Sequence, residues 1–139
     1  MRRVFLTAIL TGHMSLCAVA TETQASDQDA ITGIIDDQIT AFLADDFETA
    51  FKFASPGIRG MFGTPERFGR MVREGYPMVW RPSNVEYLDL RQEADGFTQR
   101  VMVRDSSGAT WLLDYSMIQR PEGWRINGVR LLTAPPTGV

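Results

Sequence analysis

The chain has 139 residues, 44% of them hydrophobic and 22% charged, the size and balance of one soluble globular domain. Basic residues number 14 and acidic residues 17, for a formal net charge of −3. No basic excess marks the chain as a nucleic-acid binder or as a polybasic membrane binder, so neither partner is expected.

The N-terminus reads as a secretory leader. Met1-Arg2-Arg3 is a short positive segment, and Val4 to Val19 is mostly apolar and uncharged. Ala18-Val19-Ala20 and Thr23-Gln24-Ala25 each offer the small residues that a signal peptidase reads. Thr7, Thr11, Gly12, His13 and Ser15 dilute the apolar run, which is short for a membrane span. Leu16 is not the small residue that a lipoprotein site needs before Cys17. The expected division is a leader over residues 1–25 and a single domain over residues 26–139. That domain is expected to be periplasmic or secreted, with no membrane association after cleavage. The chain's one His (His13) and one Cys (Cys17) leave with the leader. A disulfide, a Cys nucleophile, a Ser-His-Asp triad, a His/Cys zinc site and His-ligated haem are therefore not expected, and no cofactor or metal is implied.

Helices come first in the remaining chain. Ser26 and Asp29 resemble a capping box with Asp in place of Glu, which predicts a helix start at Ser26. Ile31, Ile34, Ile35, Gln38, Ile39, Phe42 and Leu43 recur at three- and four-residue steps and define one buried stripe. Asp45-Asp46 ends this helix and caps a second, striped by Phe47, Ala50, Phe51 and Ala54 and broken by Ser55-Pro56-Gly57. Ile58 to Phe62 predicts a short helical turn stopped by Gly63. Thr64-Pro65-Glu66 opens another helix with Phe68, Met71 and Val72 inward and Gly75 as its C-terminal cap. The two prolines of Tyr76-Pro77-Met78-Val79-Trp80-Arg81-Pro82 predict an extended segment.

Four strand-like runs follow, Asn84–Arg91, Phe97–Arg104, Thr110–Gln119 and Trp124–Leu132, joined by short turns. Helices grouped before an antiparallel meander give an α+β domain. Alternation places Phe97, Gln99, Val101 and Val103 with Trp111, Leu113, Tyr115 and Met117, and with Trp124 and Ile126, on the face toward the helices. Thr98, Arg100, Met102, Leu112, Asp114, Ile118 and Leu131 then fall on the outer face, with a bulge expected at Gly128. The apolar residues of that face have two readings: ordinary surface scatter, or the interface of a homodimer.

The same residues resemble a known family. Ala44-Asp45-Asp46-Phe47, Phe53-Ala54-Ser55-Pro56, the heptapeptide Tyr76 to Pro82, Gln99-Arg100-Val101 and Gly123-Trp124-Arg125-Ile126-Asn127-Gly128-Val129 are similar to domain of unknown function 4864, a bacterial family without an established activity. The element order resembles the nuclear-transport-factor-2-like (cystatin-like cone) superfamily. That resemblance implies N-terminal helices packed on a curved four-stranded antiparallel meander that encloses a cone-shaped cavity. Two functions fit such a fold. One is a non-catalytic module that binds a small apolar or amphipathic ligand, or a protein. The alternative is a cofactor-free isomerase, cyclase or dehydratase with a carboxylate and a Tyr in the cone.

Candidate ligand contacts follow from chemistry and placement. Gln99 and Tyr115 share the inner face of adjacent strands and present polar tips within an apolar surrounding. The other reading of this pair is a mutual hydrogen bond that only satisfies the core. Tyr76, Trp80 and Arg81, stiffened by Pro77 and Pro82, form either an anion-recognising lip over the cavity or a plug with Arg81 paired to an acid. Asp89 and Asp114 are the carboxylates that a catalytic reading would use; solvated sheet carboxylates are the simpler reading.

Overall fold

The computed structural model of the protein describes residues 17–132. Most of the predicted leader over residues 1–25, including His13, lies outside the described residues. Helix α1 runs over Cys17–Leu43 and therefore begins upstream of the start predicted at Ser26. Residues 17–32 contain neither Gly nor Pro and are rich in Ala, so nothing in them stops a helix, and Ser26 lies inside it as an exposed residue. No helix among the described residues is long and apolar enough to cross a membrane.

Three short helices follow, two of them with the N-caps that the sequence predicts, while Ser55, read from sequence as part of a break, caps the third. Asp46 accepts from Thr49 N at 3.1 Å and opens α2 (Phe47–Lys52). Ser55 caps α3 (Pro56–Phe62), which ends at Gly63 with φ 77°, a conformation that favours glycine. Thr64 accepts from Arg67 N at 3.3 Å at the start of α4 (Pro65–Gly75). Gly75 is the last residue of α4 rather than its cap; that place belongs to Tyr76, whose N–H reaches Val72 O at 2.8 Å.

The Tyr76–Pro82 segment corrects the prediction of an extended chain, because Pro77–Trp80 forms a one-turn helix, α5. Pro77 occupies a first-turn position, where a missing N–H costs nothing, and Tyr76 O accepts from both Val79 and Trp80. Proline spacing alone does not distinguish this turn from an extended run.

Strands β1 (Asn84–Glu93), β2 (Gly96–Arg104), β3 (Thr110–Arg120) and β4 (Gly123–Leu131) form an antiparallel open sheet in the order β1-β2-β3-β4. The chain is thus α+β, with helices preceding a four-stranded meander. Its helix-facing side is the predicted one: Gln99, Val101, Val103, Leu113, Tyr115, Met117, Trp124 and Ile126 are buried, and the apolar ones among them pack with Ile31, Ile35, Ile39 and Phe42 of α1. Two bulges interrupt the ladder, one between Tyr87 and Leu90 of β1 and one between Ser116 and Met117, where β4 carries Asn127 as the extra residue. The second bulge reverses the alternation beyond it. Leu131 pairs with Leu113 and so belongs to the helix-facing side, not to the outer face predicted for it. The free edge of β4 is partly covered by the link between α2 and α3. There Ser55 N donates to Ile126 O at 2.8 Å and Ile126 N donates to Phe53 O at 2.9 Å.

Candidate functional site

The helices do not close completely on the sheet. Phe68 of α4 collects the ring of Phe42 from α1 at 5.9 Å, that of Phe51 from α2 at 5.4 Å and that of Phe62 from α3 at 5.9 Å. Such pairs contribute about 0.5–1.5 kcal/mol each beyond burial. Beside this cluster lies a cavity of about 220 Å³ between α1, α3, α4, α5 and β4. Ile58, Phe62, Phe68, Met71, Val72 and Val129 supply much of its apolar wall. Met61, 73% exposed, stands at its rim. Polar side chains enter this wall from Gln38, whose Nε2 donates to Ala50 O at 3.1 Å, and from Tyr76, whose hydroxyl donates to Val129 O at 3.1 Å. Among the described residues, no Asp or Glu is part of it.

The residues singled out from sequence are distributed over three places. Tyr76 lines the cavity. Gln99 and Tyr115 are direct partners across β2 and β3, as expected, yet their tips diverge and form no mutual hydrogen bond. Gln99 turns toward the β1 bulge, donating to Leu88 O at 3.0 Å and Arg100 O at 2.8 Å, and its Oε1 accepts from Gln28 at 3.4 Å. Both carbonyls belong to residues that have no paired partner across the β1–β2 register shift. The Tyr115 hydroxyl is fully buried and has no hydrogen-bond partner among the described residues. Burial, with a contribution from Tyr76, pushes its pKa up, so it stays a neutral donor.

Trp80 and Arg81 stand at the end of α1. Arg81 Nη1 donates to Phe42 O at 2.7 Å, and Arg81 Nη2 and Trp80 Nε1 both donate to Asp45 Oδ1, at 2.8 and 3.0 Å. The guanidinium lies 4.1 Å from the Trp80 ring centre. The Trp80 and Arg81 hydrogen bonds hold the Asp45 carboxyl below its ordinary value of 3.8. Asp45 itself has φ 54°, a left-handed conformation that Asp tolerates better than most residues. These contacts fix the turn between α1 and α2 and use the Arg81 charge within the fold.

The outer face carries a constellation that the sequence reading did not assemble. Asp114 is 3% exposed although it lies on the side of the sheet away from the helices. Arg100 grips it at two points, 3.0 Å to Oδ1 and 3.1 Å to Oδ2, while Arg91 and Arg130 reach Oδ2 at 2.9 and 3.3 Å. The Arg100 hydrogen bond, aided by the other two guanidiniums, holds the Asp114 pKa down. Period-two alternation and the β2–β3 register were enough to pair Arg100 with Asp114 from sequence. Arg130 lay hidden behind the bulge at Asn127. Asp89, the other carboxylate considered, is exposed at the β1 bulge.

No curated protein and no solved structure gives a significant match to the chain. A family model, Domain of unknown function (DUF4864), matches residues 24–139, and the chain belongs to that family.

Proposed function

We propose that the protein is an exported, non-catalytic binding module that takes a small apolar molecule into the cavity beside Phe68. Its volume, about 220 Å³, carries the reading. An apolar cavity of roughly 150 Å³ already accepts benzene, so this larger one suits a small aromatic molecule of one ring or two fused rings, or a short branched aliphatic group. The Tyr76 hydroxyl and the Gln38 amide supply the few polar groups with which such sites orient a ligand. The sheet and helix order supports placement in the nuclear-transport-factor-2-like superfamily. A cofactor-free isomerase or cyclase needs a base in its cavity, and here the buried carboxylate, Asp114, stands on the opposite side of the sheet among arginines.

Titration of the full chain with indole and with p-cresol, followed by calorimetry, tests the reading. Both ligands are expected to bind, p-cresol losing affinity in Tyr76→Phe, and both to be lost in Ile58→Trp, which fills the cavity from its partly exposed α3 wall. Equal binding by wild type and Ile58→Trp overturns it, as does the absence of binding by either probe. Export has its own test: N-terminal sequencing from the native host should give Thr21 or Ser26, and an intact Met1 overturns that part.

A further inference from the structure

The net charge of −3 hides a strong asymmetry. Register places Arg91, Arg100, Arg104, Arg120, Arg125 and Arg130 on the outer side of the sheet, against Glu86, Glu93, Asp114 and the bulge residue Asp89. Across that side, one row runs Arg91, Thr98, Ser116 and the next runs Arg100, Asp114, Arg130. Small side chains in the first row leave a hollow of about 470 Å³, with Arg91 and Arg130 on its wall and with Thr98, Ser116 and the arginine-paired Asp114 also lining it.

Asp114 needs one cation and has three. Arg100 already makes the two-point fork that satisfies a carboxylate. Arg91 and Arg130 each give it a single N–H and keep most of their five donors uncommitted to it. The Arg91 Nε is buried and has no hydrogen-bond partner among the described residues. Asp114 thus holds two further guanidiniums from opposite strands in fixed positions, with two positive charges in excess of its own.

We propose that Arg91 and Arg130, positioned over Asp114, bind a small dianionic oxyanion group in this hollow, the phosphate of an ester or the paired carboxylates of a diacid. The Thr98 and Ser116 hydroxyls add neutral donors to the site. Glu93 and Asp95 line the hairpin end of the same hollow, and they direct the anion toward the Arg91 and Arg130 end and disfavour a long polyanion. The arginine excess also opposes packing of this face on a second copy of itself, because a twofold would set like charges opposite each other.

The test uses the full chain with inorganic phosphate in one arm and succinate in the other, each against chloride at equal ionic strength so that general screening cancels. Calorimetry is expected to show saturable binding of at least one anion. The double variant Arg91→Met/Arg130→Met should bind at least tenfold more weakly, while Arg67→Gln/Arg70→Gln on α4 should match the wild type. Arg100 stays in place and keeps Asp114 paired, so the double variant retains the sheet; circular dichroism checks this. If it does not fold, Arg130→Met alone, at a side chain 74% exposed, should still weaken binding at least threefold. Binding of phosphate alone assigns the site to phosphate esters, and binding of succinate alone assigns it to diacids. Binding of both, lost in the arginine variant, supports the shared chemistry. Absence of binding by either anion, or undiminished binding by the folded arginine variant, overturns the proposal.

Discussion

Asp114 and Tyr115 are neighbours on β3 and point to opposite sides of one sheet, and the protein treats their polar groups in opposite ways. Asp114 receives three guanidiniums for a single negative charge. Tyr115 receives no partner for its hydroxyl among the described residues. On the outer side the strands carry charge over charge; on the helix side they carry Val101, Val103, Leu113 and Met117 against isoleucines and phenyl rings. One side is organised by directed, screenable forces and the other by packing. Each therefore leaves a different kind of opening: a hollow walled by guanidiniums above Thr98 and Ser116, and an apolar cavity beside Phe68.

The packing side should break hardest. Phe68 is 5% exposed and touches rings from three other helices. Phe68→Ala is expected to cost about 3–5 kcal/mol, the usual loss for a buried phenyl. Denaturant unfolding should give the same loss at low and at high salt. A loss that shrinks with salt would show that the helix side is not held by packing alone.

The charged side should break less and respond to conditions. Asp114→Asn keeps the shape but leaves three guanidiniums without a counter-charge, and a cost of about 1–3 kcal/mol is expected, falling as salt is added. Acid should act on the same group. The Asp114 carboxyl is held below its ordinary value, with Arg100 as the largest cause, and Asp105 is lowered to about 2 by hydrogen bonds from Ser107 and Trp111. A carboxyl whose pKa is depressed on folding stabilises the fold above its unfolded value of 3.8 and loses that contribution as pH falls through the folded value. The melting temperature should fall from about pH 4 down to about pH 2, and less steeply in Asp114→Asn. A parallel fall in wild type and variant would remove Asp114 from the acid response.

The sequence carried the element order and the sheet's two sides, because both follow from local signals: caps at Asp46 and Thr64, a break at Ser55-Pro56-Gly57, and strict alternation through Val101, Val103, Leu113 and Tyr115. It did not carry the sites. Gln99 and Tyr115 do face each other in register, but the extra residue in β1 draws the Gln99 amide away, and a bulge is not written in alternation. The bulge at Asn127 likewise moved Leu131 across the sheet. The cavity depends on how far α3 and α4 stand from β4, a distance set by Phe68 and its neighbouring rings rather than by any run of residues. Arg81 was legible as a residue that pairs with an acid; that the acid is Asp45, across a helix end, was not.

The smallest expected effect is also the one of unusual sign. Removing a buried tyrosine hydroxyl ordinarily breaks a hydrogen bond and costs about 1 kcal/mol. At Tyr115 the hydroxyl is buried without a partner among the described residues, so its desolvation is not offset by a hydrogen bond from them. Tyr115→Phe is therefore expected to leave stability unchanged or to raise it by up to about 1 kcal/mol. Binding of indole should be unaffected, because Tyr115 is not part of the cavity wall whereas Tyr76 is. Chemical denaturation of the single variants and of the Tyr76→Phe/Tyr115→Phe pair measures both effects. A loss of 1 kcal/mol in Tyr115→Phe that disappears once Tyr76 is also Phe would mean that the two hydroxyls bond each other in solution. The contrast between the overfilled Asp114 and the unfilled Tyr115 would then be a difference of geometry alone.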